Sequence, residues 1–268
     1  LRMSAVLGIG NALVDIIIRL EDENFLHRMN LPRGSMTMID SEKVNTILRE
    51  SAHIKSDMAQ GGAVANTISG LACLGVKTGY IGKIGNDEFG NIFRKDLEEK
   101  KINPHLLYGN SPTGRAMTML SSDGERTFGT YLGAAVEMNP GEISPAIFKD
   151  YQWLVAEGYL VFNRELITAA LDIAKKQGMH IAMDMASYNL VENNLVFIKS
   201  MLKDYVDLVF ANELEARALT GLEDPKDALI KIGEICQMAI VKVGKEGSWI
   251  IRGNEIVKVN GIAAECID

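Results

Sequence analysis

The chain has 268 residues, of which 47% are hydrophobic and 24% are charged, and its formal net charge at pH 7 is −7. This length and apolar content suffice for one large α/β domain with a buried core. The basic residues are scattered along the sequence, so the positive patch typical of proteins that bind nucleic acid or anionic membranes is missing. No apolar run approaches the ~20 residues that a membrane span requires.

The N-terminal sequence has no basic segment followed by an apolar stretch and a cleavage site. We therefore expect no secretory signal and a cytoplasmic location. Cys73, Cys236 and Cys266 are far apart and odd in number, which predicts buried free thiols rather than disulfides or a zinc site. The four histidines form no i, i+4 pair, so a histidine-based metal site is not expected.

Short β-rich runs alternate with helical stretches along most of the chain. Helices are predicted over 87–100 and 164–178, and the second places Leu166 and Ala170 on one face before a cationic turn that ends at Gly178. Repeated strand–helix–strand units predict an α/β fold with a central, mostly parallel sheet and helices on both faces. The candidate strands are AVLGIG (5–10), TGYIGKIG (78–85), WLVAEGYLV (153–161), HIAMDMA (180–186), VDLVFAN (206–212) and MAIVKVG (238–244).

Two stretches interrupt this rhythm. Residues 14–40 contain the extended runs VDIIIRL and MTMID, and residues 112–134 contain two more runs around Asp123-Gly124, a dipeptide that favours a hairpin. We interpret these stretches as a small β-sheet lid attached to the α/β body. With this lid included, residues 1–268 are predicted to form a single domain.

Gly8-Ile9-Gly10 follows the first candidate strand and invites comparison with the dinucleotide-binding fingerprint. That fingerprint requires a third glycine where Leu13 stands, followed directly by a helix. The sequence continues instead as a strand, so a nicotinamide- or flavin-dependent oxidoreductase is not supported.

Asn11 and Asp15 follow the carboxyl end of the first strand, where open α/β sheets bind ligands. Asp15 lies within the apolar run ALVDIII. A carboxylate among buried neighbours is costly unless it receives hydrogen bonds, which the hydroxyl groups of a sugar would supply. An aspartate on the solvated side of a strand explains the pattern equally well.

The stretch MAQGGAVANTISGLACLG is the strongest local signal. Gly61-Gly62 precedes a predicted helix, which leaves its first N–H groups without a capping side chain and leaves room for a ligand. Asn66 lies one turn into the helix, on the face that points back toward this position. A Gly-Gly turn before a helix is common, but together with Asn11 and Asp15 it favours a polyhydroxylated ligand.

VDLVFANELEARALTG ends a strand and begins a helix with Asn212 and Glu215 in its first turn. Acidic residues there complement the helix dipole, and spacing alone favours that ordinary explanation. The functional alternative is that Asn212 and Glu215 face a hydrated Mg²⁺, joined by Asp184 from another strand end.

Gly244 and Gly247 flank Lys245-Glu246 after the strand that ends near Lys242. A hairpin turn is the simpler interpretation, and a loop whose backbone approaches a nucleotide is the alternative. The sequence contains no G-x-x-x-x-G-K-[ST] motif, which excludes a P-loop kinase or GTPase.

Taken in order, these residues resemble the ribokinase-like (PfkB) family of carbohydrate and nucleoside kinases, from about Ala5 to the last residue. The stretch from GGAVAN to GKIG (61–85), followed by NDEFG, is similar to the family's first signature. GNALVDI, LPRGSMTMID, TGRAMTML and DGERTF resemble the adenosine kinase branch. Ile68 departs from the pattern, because many members carry a small residue there, although that branch tolerates it.

The resemblance implies a ribokinase-like fold, ATP and Mg²⁺ as cofactors, and phosphorylation of a primary hydroxyl group. The lid would close over the acceptor, with Arg126 reaching the transferred phosphate. The acceptor would be held by Asn11, Asp15, Gly61, Gly62 and Asn66. The nucleotide and its phosphates would be held by Asn212, Glu215, Lys242, Gly244 and Gly247. Glu215 and Asp184 would hold Mg²⁺ through water.

The printed sequence stops at Asp268, which matches the first residue of the family's D-T-x-G-A-G-D motif. In that family the motif supplies the catalytic base and the backbone N–H groups that stabilise developing negative charge. We therefore expect the catalytic aspartate and the C-terminal part of the fold to lie beyond the printed residues.

Two functional hypotheses remain open at this stage. The first is an ATP-dependent kinase acting on the hydroxymethyl group of a sugar or a nucleoside, and the second is a non-catalytic relative, or an inactive fragment, that binds the same ligand. Recognition of a base would need an aromatic wall, for which Phe128, Tyr131 and Tyr159 are candidates. The oligomeric state is open between a monomer and a homodimer that pairs through the lid.

Overall fold

A computed structural model gives the structure of the chain and describes residues 4–20, 22, 24–54 and 56–263. Cys266 and Asp268, which entered the sequence predictions, lie outside the described residues. The described part divides into two compact units, one formed by residues 8–142 and the other by residues 4–7 together with 143–263.

The first unit carries the whole small sheet and the helices around it. Helices α2 and α4 begin at aspartate caps, because Asp40 accepts a hydrogen bond from Lys43 N–H and Asp87 accepts one from Gly90 N–H. The strands are β1 (Val6–Ile9), whose first two residues belong to the other unit, β2 (Leu13–Arg19), β3 (Met36–Met38), β4 (Ser56–Gly61), β5 (Thr78–Ile84), β6 (Asn103–Tyr108), β7 (Gly114–Leu120) and β8 (Arg126–Tyr131). The helices are α1 (Asn24–Arg28), α2 (Ser41–Glu50), α3 (Ala63–Cys73) and α4 (Glu88–Glu99).

The small sheet has five strands in the order β3-β8-β7-β2-β4. Its strands β2, β3, β7 and β8 lie within the two stretches that the sequence sets apart, 14–40 and 112–134, except that β2 begins one residue earlier. The prediction did not include β4, which pairs antiparallel with β2 at the edge of the sheet. The hairpin predicted at Asp123-Gly124 is present, with Gly124 at φ +87°.

The two faces of the small sheet differ in burial. Because side chains alternate along a strand, Val14, Ile16 and Ile18 of β2 lie on one face and are fully buried. Asp15 and Ile17 lie on the other face and are partly exposed. The small sheet therefore has one core face and one open face.

The second unit carries the remaining strands of the large sheet. In this unit the strand order of the large sheet is β14-β13-β12-β11-β10-β9-β1. Strand β1 is divided between the two units, and in the first unit the order is β1-β5-β6. The strands are β9 (Trp153–Ala156), β10 (His180–Asp184), β11 (Leu208–Asn212), β12 (Met238–Lys242), β13 (Ser248–Arg252) and β14 (Glu255–Val259). The helices are α5 (Pro145–Phe148), α6 (Arg164–Lys176), α7 (Tyr188–Asn193), α8 (Leu195–Asp204), α9 (Glu213–Thr220) and α10 (Pro225–Gly233).

Pairing in the large sheet follows the predicted α/β pattern. β9 to β12 pair in parallel, as do β5 and β6, whereas β12, β13 and β14 form antiparallel hairpins. All residues of β5 are buried, as expected for a strand within a parallel sheet. The protein thus has an α/β fold with a large, mostly parallel sheet, helices and a second, small sheet.

Two sequence predictions need correction. The strand predicted over 153–161 ends at Ala156, and a 3₁₀ turn follows over Gly158–Phe162. At the start of this turn the N–H of Gly158 donates to the side chain of Asp184 at 3.1 Å. Buried thiols were expected, and Cys236 is buried, but Cys73 at the end of α3 is exposed. None of the helices in the described part of the chain is long and apolar enough to cross a membrane.

Candidate functional site

Asp15 lies on the open face of the small sheet, in the middle of β2. Its neighbours across the sheet are Ala59 of β4 and Ala116 of β7, both of which are small. Asp15 is neither in the core nor at a fully solvated position, but partly buried on a surface that small residues leave accessible.

Gly61 lies directly against the carboxylate of Asp15. A Cβ atom on Gly61 would overlap all three atoms of that carboxylate group. No side chain fits at this position while Asp15 keeps its present conformation, so the glycine and the aspartate form one local unit. The sequence prediction that grouped them is consistent with this contact.

Gly62 is the N-cap of helix α3, with φ +99° and no capping side chain. A Cβ atom here would lie 2.6 Å from the backbone oxygen of Asn11, a residue that is itself buried. Asn66 donates its backbone N–H to the carbonyl oxygen of Gly62 at 2.9 Å, and its side chain is exposed. The beginning of α3 therefore presents N–H groups without a capping side chain, next to an exposed amide.

Burial raises the pKa of Asp15 to about 6. Within the described residues, no cationic side chain offsets this effect by favouring the ionised form of the carboxylate. Hydroxyl groups that donate hydrogen bonds to the carboxylate would stabilise that form. The site is therefore arranged to gain from a ligand that donates hydrogen bonds.

The open face extends from Asp15 across the small sheet as two rows of side chains. Asp15 and Ile17 pair with Ala116 and Thr118 of β7, and these pair with Thr130 and Phe128 of β8. Met38 and Met36 of β3 complete the rows and are 54% and 47% exposed. The first row is Ala59, Asp15, Ala116, Thr130 and Met38, and the second is Asp57, Ile17, Thr118, Phe128 and Met36.

Of the three aromatic candidates, only Phe128 lies on this open face. Tyr131 is opposite Arg115 on the other face, where the guanidinium carbon lies 5.5 Å from the centre of the tyrosine ring. Tyr159 belongs to the second unit, and burial raises the pKa of its hydroxyl group. Arg126 is on the same face as Phe128, exposed, at the hairpin end of β8. Its predicted contact with a phosphate stays a prediction.

The second unit places charged and polar side chains at the carboxyl ends of neighbouring parallel strands. Asp184 ends β10, Asn212 ends β11 and Lys242 ends β12, where Asn212 and Lys242 are direct neighbours. Such strand ends are the usual ligand-binding edge of an open α/β sheet. The sequence prediction grouped Asp184 with Asn212 and Glu215, and the family resemblance placed Lys242 near the nucleotide. The observed register is consistent with both expectations.

Glu215 and Asn212 form a reciprocal capping box at the start of α9. Glu215 accepts hydrogen bonds from the backbone N–H and the side-chain amide of Asn212, both at 2.9 Å, and Asn212 Oδ1 accepts one from Glu215 N–H at 2.9 Å. These bonds support the structural explanation for both residues.

Asp184 and Glu215 are buried carboxyl groups that share an electrostatic environment. Burial raises the pKa of each, and the exposed ammonium group of Lys242 opposes this rise in both cases. Asp184 also accepts hydrogen bonds from Gly158 and Ala186 N–H, each at 3.1 Å. Within the described residues there is no cluster of three or more Asp, Glu, His or Cys side chains arranged to hold a metal ion.

The loop with Gly244 and Gly247 connects the antiparallel strands β12 and β13, so the hairpin interpretation is correct. Gly247 has φ +98°, and a Cβ atom there would overlap the carbonyl oxygen of Val259. Gly244 has φ +53° with open space around it. Close packing thus requires glycine at positions 61 and 62 of the first unit. In the loop between β12 and β13 it requires glycine only at position 247.

The second half of the glycine-rich signature has a structural explanation that the sequence did not reveal. Asp87 accepts hydrogen bonds from the N–H and hydroxyl groups of Thr113, and a Cβ atom on Gly85 would lie 2.7 Å from Thr113 N. Lys83 is buried and forms an ion pair with Glu142 at 2.7 Å. These contacts connect β5 and α4 to the neighbouring segments. The two residues in each contact are far apart in the sequence, so the sequence alone did not reveal them.

Comparison with known proteins agrees with this geometry. Residues 37–268 match the model of the pfkB family of carbohydrate kinases. The match extends over most of the chain, and the chain belongs to the pfkB carbohydrate kinase family.

Individual relatives are similar over nearly the whole chain. The adenosine kinase from Sinorhizobium meliloti has a TM-score of 0.88 and 33% identity, with 99% of this chain and 82% of that chain covered. A probable sugar kinase from Rhizobium etli has a TM-score of 0.87 and 32% identity, with 97% and 80% covered. The guanosine-inosine kinase of Escherichia coli is 26% identical over 258 residues, which cover 91% of this chain.

The matched region covers 59% of the length of the guanosine-inosine kinase. The chain therefore spans less than two thirds of that curated relative. The relatives are named for both nucleoside and sugar acceptors, so their names do not settle the acceptor.

Proposed function

We propose that the protein transfers the γ-phosphoryl group of ATP to the hydroxymethyl group of a nucleoside. The observation that carries this proposal is the open face of the small sheet, which runs from the carboxylate of Asp15 to the half-buried Phe128 and the exposed Met36 and Met38. A nucleoside has a polyhydroxylated part that suits Asp15 and a flat apolar base that would cover the rest of this surface. A free sugar would leave the apolar part in water.

The first unit would supply the acceptor site. The ribose hydroxyl groups would donate hydrogen bonds to Asp15 and accept them from the uncapped N–H groups at the start of α3, with Asn66 as a further partner. Gly61 and Gly62 allow the ligand this close because neither carries a side chain. These contacts would fix the orientation of the ribose, which is a large part of the catalysis in phosphoryl transfer.

The second unit would supply the groups for the nucleotide. Glu215 and Asp184 fit a Mg²⁺ ion held through water, because Mg²⁺ keeps several waters and uses few carboxylates, and because a cation would offset the burial of both groups. Lys242 and Gly244 would lie near the phosphates. The metal ion, when bound, would neutralise charge that develops on the transferred phosphoryl group.

The chemical step needs a base that takes the proton of the hydroxymethyl group as its oxygen attacks the γ-phosphorus and ADP leaves. By the resemblance to the family, that base would belong to the motif whose first residue matches Asp268, which lies outside the described residues. The proposal therefore assigns binding and orientation, and not the base, to the described residues.

The test is ADP release by the intact protein with MgATP and a panel of adenosine, guanosine, inosine, ribose and fructose. We expect kcat/KM to be at least about a hundredfold higher for one nucleoside than for either sugar, which corresponds to about 2.7 kcal/mol. In Phe128→Ala the KM of that nucleoside should rise, while the KM of ATP should not. A preference for ribose or fructose would refute the nucleoside assignment. Ligand-dependent thermal stabilisation without turnover would support a non-catalytic binding protein.

A further inference from the structure

Gln60 precedes the Gly61-Gly62 turn and points to the opposite side of the sheet. It pairs with the buried Val14 in β2, whereas Gly61 pairs with Leu13, so the Gln60 side chain faces the interior and is only 4% exposed. It therefore cannot touch a ligand on the open face. Its contacts are with the helices that surround the turn.

Two hydrogen bonds connect the side chain of Gln60 to helix α3. Its Nε2 donates to the carbonyl oxygen of Ala65 at 3.0 Å and to the hydroxyl group of Ser69 at 2.7 Å. These acceptors lie in the first two turns of the helix whose N-cap is Gly62. The amide thus joins the strand before the glycine pair to the helix after it.

The backbone of Gln60 is held from the other side. Its N–H donates to Asp96 Oδ2 of α4 at 2.7 Å. Strand β4 is at the edge of the small sheet, so this N–H has no neighbouring strand to bond to. Asp96 supplies the missing acceptor, and the residue before Gly61 is fixed by two helices.

If Gln60 contributed only to the stability of the fold, an apolar side chain would serve better than its amide. Its Oε1 is buried and has no hydrogen-bond partner within the part of the chain that the structure describes. A buried, unsatisfied acceptor costs about 1–3 kcal/mol, and an apolar side chain of the same shape would remove that cost. The helix would keep its own hydrogen bonds after such a change, since Ser69 can donate back to Ala65.

We propose that Gln60 is a positioning residue for the acceptor site. Its side chain holds the Gly61-Gly62 turn against the start of α3. The carboxylate of Asp15 and the uncapped N–H groups of the helix then face the same ligand. Asp96 assists by fixing the backbone of Gln60. This inference rests on the proposed function, because its test measures the binding of the acceptor nucleoside.

The test is Gln60→Met in the intact protein, with the nucleoside that the wild-type protein prefers. We expect the Kd of the nucleoside, measured by calorimetry without ATP, and its KM to rise about tenfold, which corresponds to ~1.4 kcal/mol. The KM of ATP and kcat should stay within about twofold, and the Tm should be unchanged or higher. A residue that serves stability alone would lower the Tm and leave the Kd of the folded protein unchanged.

Two further variants sharpen the result. Asp96→Asn keeps an oxygen acceptor for Gln60 N–H and should bind the nucleoside as the wild-type protein does, whereas Asp96→Leu should bind it more weakly. Gln152→Met is the matched control, because Gln152 Oε1 accepts a hydrogen bond from Ala5 N–H at 2.8 Å in the second unit. It should not alter nucleoside affinity.

The two proposals fail in different ways. If the wild-type protein binds and phosphorylates no acceptor, the proposed function fails and this inference fails with it. If the wild-type protein is active but Gln60→Met binds the nucleoside with wild-type affinity, or weakens ATP binding equally, only the positioning role of Gln60 is refuted.

Discussion

The carboxylate of Asp15 occupies the space that a side chain on Gly61 would need. The two residues are on neighbouring antiparallel strands, with Asp15 opposite Ala59 and Gly61 opposite Leu13. The carboxylate thus lies diagonally across the pair, toward the start of α3. Any side chain at position 61 would push it away from that helix.

Gly61→Ala is therefore expected to weaken nucleoside binding by at least about tenfold, or ~1.4 kcal/mol. The measurement is the Kd of the nucleoside by calorimetry. Gly70→Ala is the matched control, because Gly70 is an exposed residue of α3 with nothing within 4 Å of its Cβ position. That variant should keep the affinity and gain about 0.5–1 kcal/mol of stability from the better helix former. Wild-type affinity in Gly61→Ala would remove Asp15 from the acceptor site.

Asp15 should make nucleoside affinity depend on pH. Its pKa is raised by burial to about 6, and hydrogen bonds donated by the ligand favour the ionised form. Nucleoside affinity should therefore be at its plateau above pH 7 and fall about tenfold by pH 5, where roughly one tenth of the carboxyl groups are ionised. The dependence should vanish in Asp15→Asn. A flat profile in the wild-type protein would contradict the assignment.

The same pKa has the opposite effect on the stability of the unliganded protein. Because the folded-state pKa lies above the ordinary value of 3.8, the folded state binds more protons between these two values, and stability falls as pH rises through them. Asp15→Asn should consequently raise the free energy of unfolding more at pH 7.5 than at pH 4, and the difference between the two effects should be about 1–3 kcal/mol. Urea unfolding at the two pH values measures this difference, and an equal effect at both would be evidence against it.

Glu215→Gln separates the structural and functional roles of the capping box. Glutamine keeps an oxygen that accepts from Asn212 N–H, so α9 should retain most of its cap, but the negative charge is lost. We expect kcat to fall at least about tenfold, with nucleoside Kd unchanged, since a charge near the metal and phosphates acts on turnover. Asp224→Ala, which removes the N-cap of α10 in the same unit, should cost ~1 kcal/mol of stability and leave kcat intact. Equal kcat in Glu215→Gln would return Glu215 to a purely structural role.

Gly244 and Gly247 should respond differently to alanine. Gly247→Ala combines a strained backbone with an overlap on Val259, and should lower stability by about 1–3 kcal/mol or more. Gly244 also has a positive φ, +53°, but it has open space around it, so Gly244→Ala should cost less stability, about 1 kcal/mol, and should instead raise the KM of ATP. Thermal unfolding and ATP kinetics on both variants make the comparison. An unchanged KM in Gly244→Ala would leave the loop as a hairpin turn only.

The parallel core of the fold was predictable because its strands read as short apolar runs, of which β1 and β5 are buried along their whole length. All six candidate strands, from the one at 5–10 to the one at 238–244, contain a strand in the structure. Edge strand β4 was not recognised, because its sequence SDMAQG is mostly polar and its first four residues are exposed. Its place is determined by pairing with β2 and by Asp96, which are remote in sequence.

Ile68 shows why a departure from a family pattern cannot be judged from one position. The side chain of Ile68 is fully buried, and a Cβ atom on Gly8 would lie 2.5 Å from its Cγ1 atom. The larger side chain on α3 is thus accommodated by the missing side chain on β1. The sequence contains both residues but not the information that they are in contact.

For the proposed acceptor site, the sequence indicated the residue types but not the residues that support them. Asp15, Gly61 and Gly62 carry local signals, namely a carboxylate in an apolar run and a glycine pair before a helix. Gln60 carries no such signal, since a single glutamine in a polar segment is unremarkable. Its importance lies in hydrogen bonds to Ala65 and Ser69 and in a buried oxygen, which only the structure reveals.

The two exposed methionines on the open face make this surface sensitive to oxidation. Peroxide converts accessible thioethers to sulfoxides, which are polar and chiral, whereas Met117 and Met119 on the core face of the same sheet are fully buried. Met58 at the edge of the sheet is as exposed as Met36 and would be modified together with Met36 and Met38. Under the proposed function, the apolar surface offered to the base would become polar while the fold survives. A preparation stored without a reducing agent would then lose nucleoside affinity before it loses structure, and methionine sulfoxide reductase would restore it.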